Sequence, residues 1–242
     1  EMFADVQARP ENPVLIVNHP SSSGFGGYFT QSAFDVKAGA GKKKDIWSTE
    51  FDAIEVFNDS DLESNREKSV AQWFALLNAG HTLWAVGSSD THHIRSSLPG
   101  TPRTCLYFGH DDPTKLTANT VRDVLAQGTA TVSGGLFMTV VGPGGAKPGS
   151  KVNGKPATAD FTVTVSRASW VDATSLEVIV NGITQTTEPL APLGDKFVNQ
   201  VTVKLDPARP RNWVVFHAKG EKEMQPLMGK RPFAVSNPVF FE

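Results

Sequence analysis

The stretch of sequence that decides the predicted fold is residues 73–92, which read Trp-Phe-Ala-Leu-Leu-Asn-Ala-Gly-His-Thr-Leu-Trp-Ala-Val-Gly-Ser-Ser-Asp-Thr-His. Its first half belongs to an amphipathic helix predicted over residues 70–77, because Val70, Trp73, Phe74 and Leu77 recur at helical spacing. Gly80 stands where a helix-ending glycine is expected. Residues 82–86 form an apolar run of strand length that leads into polar residues. A helix followed directly by a buried strand is typical of an α/β fold.

Segments of the same kind lie on both sides of this stretch. Residues 14–17 are a continuous apolar run, as expected of a strand buried on both faces. Residues 53–57, which are apolar except for Glu55, predict a second strand, and residues 104–108 predict a fourth. Thr117 predicts the start of a second helix, which Gly128 ends. The alternation of strands and helices predicts α/β class with a parallel sheet.

The pattern changes after residue 136. Apolar and polar residues alternate with a period of two in three segments: 161–165, 176–180 and 201–205. Asn181-Gly182 is a strong hairpin-turn signal, and the Gly/Pro-rich residues 142–149 form the entry to this part. We therefore predict two domains, the first spanning 1–136 and the second, an antiparallel β-sandwich, spanning 137–242 with a final strand near 234–241.

The composition narrows the function classes. The chain has 242 residues, 23 basic against 25 acidic, so there is no basic surplus to indicate nucleic acid as a partner. No stretch approaches the roughly 20 apolar residues of a membrane span. Cys105 is the only cysteine. Any metal site must therefore rely on His, Asp and Glu.

Polar residues cluster where the predicted strands end. His19 follows the first strand, Glu55 and Asn58 lie at the end of the second, and Asp90 and His92 follow the third. Because active sites form at the carboxyl ends of parallel strands, these residues are expected to converge. Imidazoles and carboxylates together suit zinc, manganese or iron, which generate a hydroxide nucleophile near neutral pH.

Each of these residues also has a structural interpretation. A histidine after a strand commonly serves as a hydrogen-bonding group, Asp90 favours a turn, and Glu55 could be a satisfied buried carboxylate. Arg103, which precedes the fourth strand, could grip a phosphate bidentately or simply be exposed. The sequence leaves these alternatives open.

Five segments in this order resemble the PHP family of metal-dependent phosphoesterases, named after polymerase and histidinol phosphatase, and its carbaryl-hydrolase-like branch in particular. They are Val-Asn-His-Pro (17–20), Asp-Ala-Ile-Glu-Val-Phe-Asn (52–58), Trp-Phe-Ala-Leu-Leu-Asn-Ala-Gly (73–80), Ala-Val-Gly-Ser-Ser-Asp-Thr-His (85–92) and Pro-Arg-Thr (102–104). The ending Ala-Val-Ser-Asn-Pro-Val-Phe (234–240) is also similar to that branch.

The resemblance implies a fold and a site. It implies that residues 1–136 are the C-terminal part of a distorted β/α barrel, followed by a small antiparallel immunoglobulin-like β-sandwich. His19, Asp90 and His92 would be metal ligands, Glu55 and Asn58 would belong to a strand motif of the site, and the complete protein would hold two or three divalent ions. A metal-bound hydroxide would attack an ester or phosphoester.

The sequence departs from the family pattern at its start. The family's His-x-His motif and its later Asp-His motif do not occur before His19. We therefore expect the chain to be the C-terminal part of a longer protein, whose N-terminal half would be a partner of this one. The appended β-domain and the non-initiator start Glu1-Met2-Phe3 favour an exported or periplasmic bacterial protein.

Three functions are carried forward. The first is a metal-dependent hydrolase, a phosphoesterase by preference, acting on a small-molecule ester. The alternative is a non-catalytic or incomplete PHP-like scaffold with a binding β-domain. A serine or cysteine hydrolase is the third, and it is disfavoured because Cys105 lies inside an apolar strand and no serine has an activating context.

Overall fold

A computed structural model of the chain describes residues 2–22, 24, 26–93, 97, 99–226 and 229–242. Its helices are short. They are α1 (Met2–Gln7), α2 (Tyr28–Gln31), α3 (Leu62–Asn65), α4 (Ala71–Asn78) and α5 (Ala118–Ala126), with a π-helical segment Arg66–Val70 joining α3 to α4 and 3₁₀ turns at Pro113–Lys115 and Pro143–Gly145.

Strands make up most of the regular structure. They are β1 (Ile16–Val17), β2 (Phe34–Asp35), β3 (Ala40–Gly41), β4 (Ala53–Asn58), β5 (Trp84–Ser88), β6 (Arg103–Leu106), β7 (Ala130–Gly134), β8 (Leu136–Val141), β9 (Lys151–Val152), β10 (Thr158–Arg167), β11 (Ser175–Val180), β12 (Ile183–Pro189), β13 (Pro192–Leu193), β14 (Lys196–Lys204), β15 (Asn212–Lys219), β16 (Phe233–Ser236) and β17 (Val239–Phe241).

A three-stranded parallel sheet carries the first part of the chain. Its order is β1-β4-β5, with Val17 beside Ile54 and Ile54 beside Ala85. The helical stretch 62–78 connects β4 to β5, as a parallel pair requires. Gly80 has a φ of +98°, the left-handed conformation expected of the residue that ends a helix.

Two larger sheets contain the other long strands. One has eight strands, in the order β12-β11-β15-β16-β7-β6 with β17 beside β15 and β9 beside β17. The other has four strands, in the order β13-β14-β10-β8, all antiparallel. The turn at Asn181-Gly182 joins β11 to β12, and both residues have positive φ, as a two-residue hairpin of this type needs.

The eight-stranded sheet is the middle layer of the molecule. On one face of it, Val214 and Phe216 pack with the four-stranded sheet in one core cluster. On the other face, Trp213 and Val215 pack in a second cluster with the parallel sheet and α4. Because both of its faces are covered, β15 is a nearly continuous apolar run, whereas β10, with one face exposed, alternates between apolar and polar residues.

The predicted β/α barrel followed by a separate immunoglobulin-like sandwich is wrong. Strands hold 36% of the residues against 18% for helices, and the dominant feature is the curled eight-stranded sheet. The predicted fourth strand, β6, does not extend the parallel sheet but pairs antiparallel with β7. The residues described between β5 and β6 contain no helix that could return the chain for parallel pairing. In addition, β7 pairs with β16, so strands from both predicted domains share one sheet.

Several predictions of individual strands and helices are confirmed. The strands expected at 53–57 and 82–86 are β4 and β5, and the helix expected over 70–77 is α4 with the segment before it. Thr117 caps α5 through a reciprocal bond with Thr120.

In the part of the chain that the structure describes, no helix has the length and apolar character to cross a membrane. The boundary predicted at residue 136 falls at the passage from β7 to β8.

Candidate functional site

A pocket of about 340 Å³ lies where the three parallel strands end, and we call it the strand-end pocket. Its walls include His19, Glu55, Asn58 and Asp90, four of the six residues predicted from the sequence. His19 lies two residues beyond β1, Glu55 and Asn58 belong to β4, and Asp90 lies two residues beyond β5. The parallel register brings these ends to one edge of the sheet, which is why residues far apart in sequence meet there.

Glu55 holds the edge of this pocket together. Its side chain is buried, and its Oε2 accepts a hydrogen bond of 2.8 Å from the backbone N–H of His19. Its Oε1 accepts from the Ser88 hydroxyl. The ring Nδ1 of His19 lies 4.0 Å from the same Oε2. One carboxylate therefore fixes the segment after β1 to the end of β5 and faces the imidazole as well.

Two residues at the pocket have a left-handed backbone. His19 has a φ of +46° and Asp90 a φ of +44°, a conformation uncommon for residues other than glycine. Each turns the chain sharply just after its strand ends. Strained conformations of this kind cost about 1–3 kcal/mol each and cluster at functional sites, so their presence at two strand ends agrees with a functional interpretation of the pocket.

Asp90 and His92 form a pair of their own. The His92 Nε2 lies 3.1 Å from Oδ1 of Asp90, and the His92 side chain is 71% exposed. His92 is not among the residues that line the pocket, whereas Asp90 is. Asp90 thus lines the pocket, whereas the imidazole of His92 is exposed and lies outside the lining.

The described residues offer the donor types that divalent ions prefer, but too few of these donors lie together to hold one ion. Imidazole and carboxylate donors suit zinc, manganese or iron. They form two pairs, His19 with Glu55 and Asp90 with His92. Among the residues that the structure describes, no three His, Cys, Asp or Glu side chains gather closely enough to hold one ion.

The pocket also contains groups that could bind an anion. The Nδ2 of Asn58 is buried and has no hydrogen-bond partner within the described part of the chain. Lys68, on the π-helical segment, lines the pocket and is exposed, and no ion pair links it to the other described side chains. An amide donor and an ammonium group at one pocket are suited to an oxyanion such as a phosphoryl group.

Arg103 lies outside this group. It is exposed, it does not line the pocket, and its Nη1 donates to the carbonyl of Gly100 at 3.0 Å. This local bond agrees with the structural alternative for Arg103. The phosphate-binding role of Arg103 stays a prediction, and it would be exerted outside the strand-end pocket.

Sequence reasoning missed Ser88 and Lys68. Ser88 lies in the polar run after the third apolar segment, but only the register of β5 against β4 places its hydroxyl on Glu55. Lys68 lines the pocket from the π-helical turn that precedes α4. No local sequence pattern predicts that turn.

The pocket is not the largest cavity of the molecule. A cavity of about 450 Å³ lies between residues 106–111 and β8, and it contains none of the predicted site residues.

Comparison with known protein families, curated proteins and solved structures finds no match to this chain. The resemblance to PHP phosphoesterases therefore stays a prediction, resting on its sequence segments alone.

Proposed function

We propose that the protein is a metal-dependent hydrolase of small-molecule esters, phosphoesters by preference, that works at the strand-end pocket. The observation that supports this most is the convergence of His19, Glu55, Asn58 and Asp90 on one pocket at the carboxyl ends of adjacent parallel strands. These residue types can hold a metal ion, orient water and bind an oxyanion.

The residues of this chain have distinct roles in the proposal. Glu55 holds the His19 segment in place and keeps its imidazole at the pocket. Asn58 donates a hydrogen bond from Nδ2 to an oxygen of the substrate, and Lys68 attracts a negatively charged ester. Since no three donors gather among the described residues, a Zn, Mn or Fe ion at His19, Asp90 and His92 would need the two donor pairs to approach each other or further donors to join them, and it would then supply an activated water.

The proposal requires more ligands than the two pairs provide. The resemblance implies that an upstream His-x-His motif and an Asp-His motif would complete the set, from an N-terminal half of the same protein. Two complete metal ions with three or four ligands each need more than the four donors described above. Activity is accordingly proposed for the protein that includes those motifs.

The metal content of the purified chain, measured by elemental mass spectrometry, is the first test. We expect at least one near-stoichiometric Zn, Mn or Fe per chain, lost in His92→Ala and His19→Ala. His93→Ala is the matched control, since His93 is the exposed neighbour of His92 and should change nothing. Metal that stays bound in both His92→Ala and His19→Ala would contradict the proposed ligands.

The second test is hydrolysis of 4-nitrophenyl phosphate and of bis(4-nitrophenyl) phosphate by metal-loaded protein. Asn58→Ala should lower kcat/KM by about 10²-fold, the usual effect of removing one oxyanion donor. Asn153→Ala, a surface change, should leave it unaltered. No hydrolysis by metal-loaded protein that includes the upstream motifs would defeat the hydrolase proposal.

One observation favours the alternative, a non-catalytic scaffold with a binding β-domain. The donors lie in two separate pairs, and no three of them gather among the described residues. The alternative predicts that the chain binds no Zn, Mn or Fe stoichiometrically even after incubation with excess metal. It also predicts that His19→Ala and His92→Ala behave like the control in every assay.

A further inference from the structure

The cavity of about 450 Å³ between residues 106–111 and β8 offers a second candidate site, and we call it the Asp111 cavity. Residues 106–111, which lead out of β6, form one side of it. Strand β8 and residues 147–148, which follow the 3₁₀ turn after β8, form the other side. No residue that lines the strand-end pocket takes part, so this cavity is independent of the proposed function.

Aromatic rings form the apolar part of the Asp111 cavity. Phe137 of β8 is 43% exposed, and its ring centroid lies 6.1 Å from that of Tyr107. Phe108 also lines the cavity. The hydroxyl of Tyr107 is already engaged, because it donates to the carbonyl of Met138. These rings therefore provide a surface on which a flat apolar group can stack.

One anion and one cation line the cavity from its two sides. Asp111 belongs to the side formed by residues 106–111, and Lys147 belongs to the side formed with β8. Both residues are exposed, so a ligand in the cavity can reach them. Within the described part of the chain, neither side chain has an ion pair or a hydrogen bond, and the two do not pair with each other. A ligand that carries both charges can therefore pair with each of them without displacing an existing partner.

The polar neighbours of Asp111 are engaged in the loop itself. Oδ1 of Asp112 accepts from the backbone N–H of Thr114 at 3.0 Å and begins the 3₁₀ turn. The Nδ1 of His110 accepts from the backbone N–H of Asp112 at 3.3 Å. The first aspartate of the Asp-Asp pair thus lies at the cavity with its carboxylate unused, whereas the second one stabilises the loop.

From this arrangement we infer that the Asp111 cavity binds a free amino acid with an aromatic side chain. Its ammonium group pairs with Asp111, its carboxylate pairs with Lys147, and its ring stacks on Phe137. A ligand with one charge would satisfy only one of the two unpaired groups, whereas a zwitterion satisfies both. The volume of the cavity lies within the range of about 300–1,000 Å³ that is usual for small-molecule sites.

Calorimetric titration with four ligands tests the inference. L-Phenylalanine carries both charges and the ring, 2-phenylethylamine lacks the carboxylate, 3-phenylpropanoate lacks the ammonium group, and L-alanine lacks the ring. L-Phenylalanine should bind most tightly. Each analogue that lacks a charge should bind about 5-fold more weakly, which is the upper part of the range for one exposed ion pair. Equal affinity of L-phenylalanine and either singly charged analogue would overturn the zwitterion assignment.

Two variants assign the charges to their partners. Asp111→Asn should weaken the binding of L-phenylalanine and 2-phenylethylamine by about 5-fold and leave that of 3-phenylpropanoate unchanged. Lys147→Gln should weaken the binding of L-phenylalanine and 3-phenylpropanoate instead. Asp45→Asn and Lys44→Gln are the matched controls, since these residues are exposed and lie outside the cavity lining, and they should change nothing.

A third variant and a spectrum locate the ligand. Phe137→Ala should weaken the binding of L-phenylalanine and leave that of L-alanine unchanged, because it removes only the stacking surface. In ¹H–¹⁵N spectra of the unaltered protein, L-phenylalanine should shift the backbone amides of Thr139 and Val141, which line the cavity. No binding at millimolar L-phenylalanine would overturn the inference, as would binding that Asp111→Asn and Lys147→Gln both leave unchanged.

Discussion

At the scale of single residues, Glu55 has the most defined role in the strand-end pocket. It is a buried carboxylate with three neighbours: the His19 amide, the Ser88 hydroxyl and the His19 ring. A carboxylate can accept all of these, whereas an amide side chain of the same shape presents a donor on one side. Replacing Glu55 by Gln therefore removes the charge and one acceptor but keeps the volume of the side chain.

Glu55→Gln should lower the free energy of unfolding by about 1–3 kcal/mol, because one buried donor loses its acceptor. Urea unfolding followed by tryptophan fluorescence measures the change. Glu67→Gln is the matched control, since Glu67 is exposed on the π-helical segment, and its effect should stay within about 0.5 kcal/mol. Equal effects for the two variants would contradict the role given to Glu55.

His217 makes the free energy of unfolding depend on pH. Burial lowers the pKa of His217 below 6.5, so the folded chain holds the ring neutral where the unfolded chain takes up a proton. Stability from this group is complete above pH 6.5 and is lost as the pH falls below that value. Burial also lowers the pKa of His81, which adds to the same trend.

The free energy of unfolding should therefore decline as the pH falls from about 7 to about 5, and the decline should be smaller in His217→Phe. Glu177 contributes little in this window. Burial raises its pKa, but the contacts with His217 and Arg66 outweigh this and lower the pKa to about 2. Urea unfolding at several pH values measures the slopes, with His110→Phe as the control that keeps the original slope. Identical slopes in all three proteins would refute the assignment to His217.

At the scale of elements, the parallel sheet depends on a residue from the far end of the chain. Asn237 is buried, its Oδ1 accepts from the backbone N–H of Ala85 at 2.7 Å, and its Nδ2 donates to the Ala85 carbonyl at 3.3 Å. Ala85 is the second residue of β5, an edge strand of the parallel sheet. One side chain thus takes the place of a neighbouring strand there.

Asn237→Ala should destabilise the protein by about 1–3 kcal/mol, because it leaves two buried backbone groups of Ala85 without partners. Thermal or urea unfolding measures the loss. Asn153→Ala, an exposed change on a loop, should cost less than about 0.5 kcal/mol. If Asn237→Ala proved as stable as this control, the hydrogen bonds between Asn237 and Ala85 would not contribute to stability, contrary to the prediction.

The elements show how far the sequence could be interpreted. β4, β5 and α4 were predicted because their apolar periods and the glycine at 80 are local signals. The pairing of β6 with β7 and of β7 with β16 was not, because strand direction and distant pairing leave no local pattern. The same holds within the site. His19, Glu55 and Asp90 follow from the rule that sites form at strand ends, whereas the bond from Ser88 to Glu55 depends on register.

At the scale of the whole molecule, the eight-stranded sheet joins what the sequence suggests are two units. Strands β6 and β7 come from the first part of the chain, and β11, β15, β16 and β17 come from the second. Trp213, Val215 and Phe233 project from that sheet into the core that contains α4 and the parallel sheet. Each part therefore covers apolar surface that the other part would expose if it stood alone.

This sharing predicts that the chain unfolds as one cooperative unit. Residues 137–242 expressed alone should fail to give a dispersed NMR spectrum, since they would expose Trp213, Val215 and Phe233 and would lack the partner strand β7. The full chain should show one unfolding transition, coincident by tryptophan fluorescence and by circular dichroism. Tryptophans report on both parts, because Trp73 and Trp84 lie in the first and Trp213 in the second. A folded fragment, or two separate transitions, would mean instead that the apolar face of the large sheet is stable in water and that the contact between the two parts is dispensable.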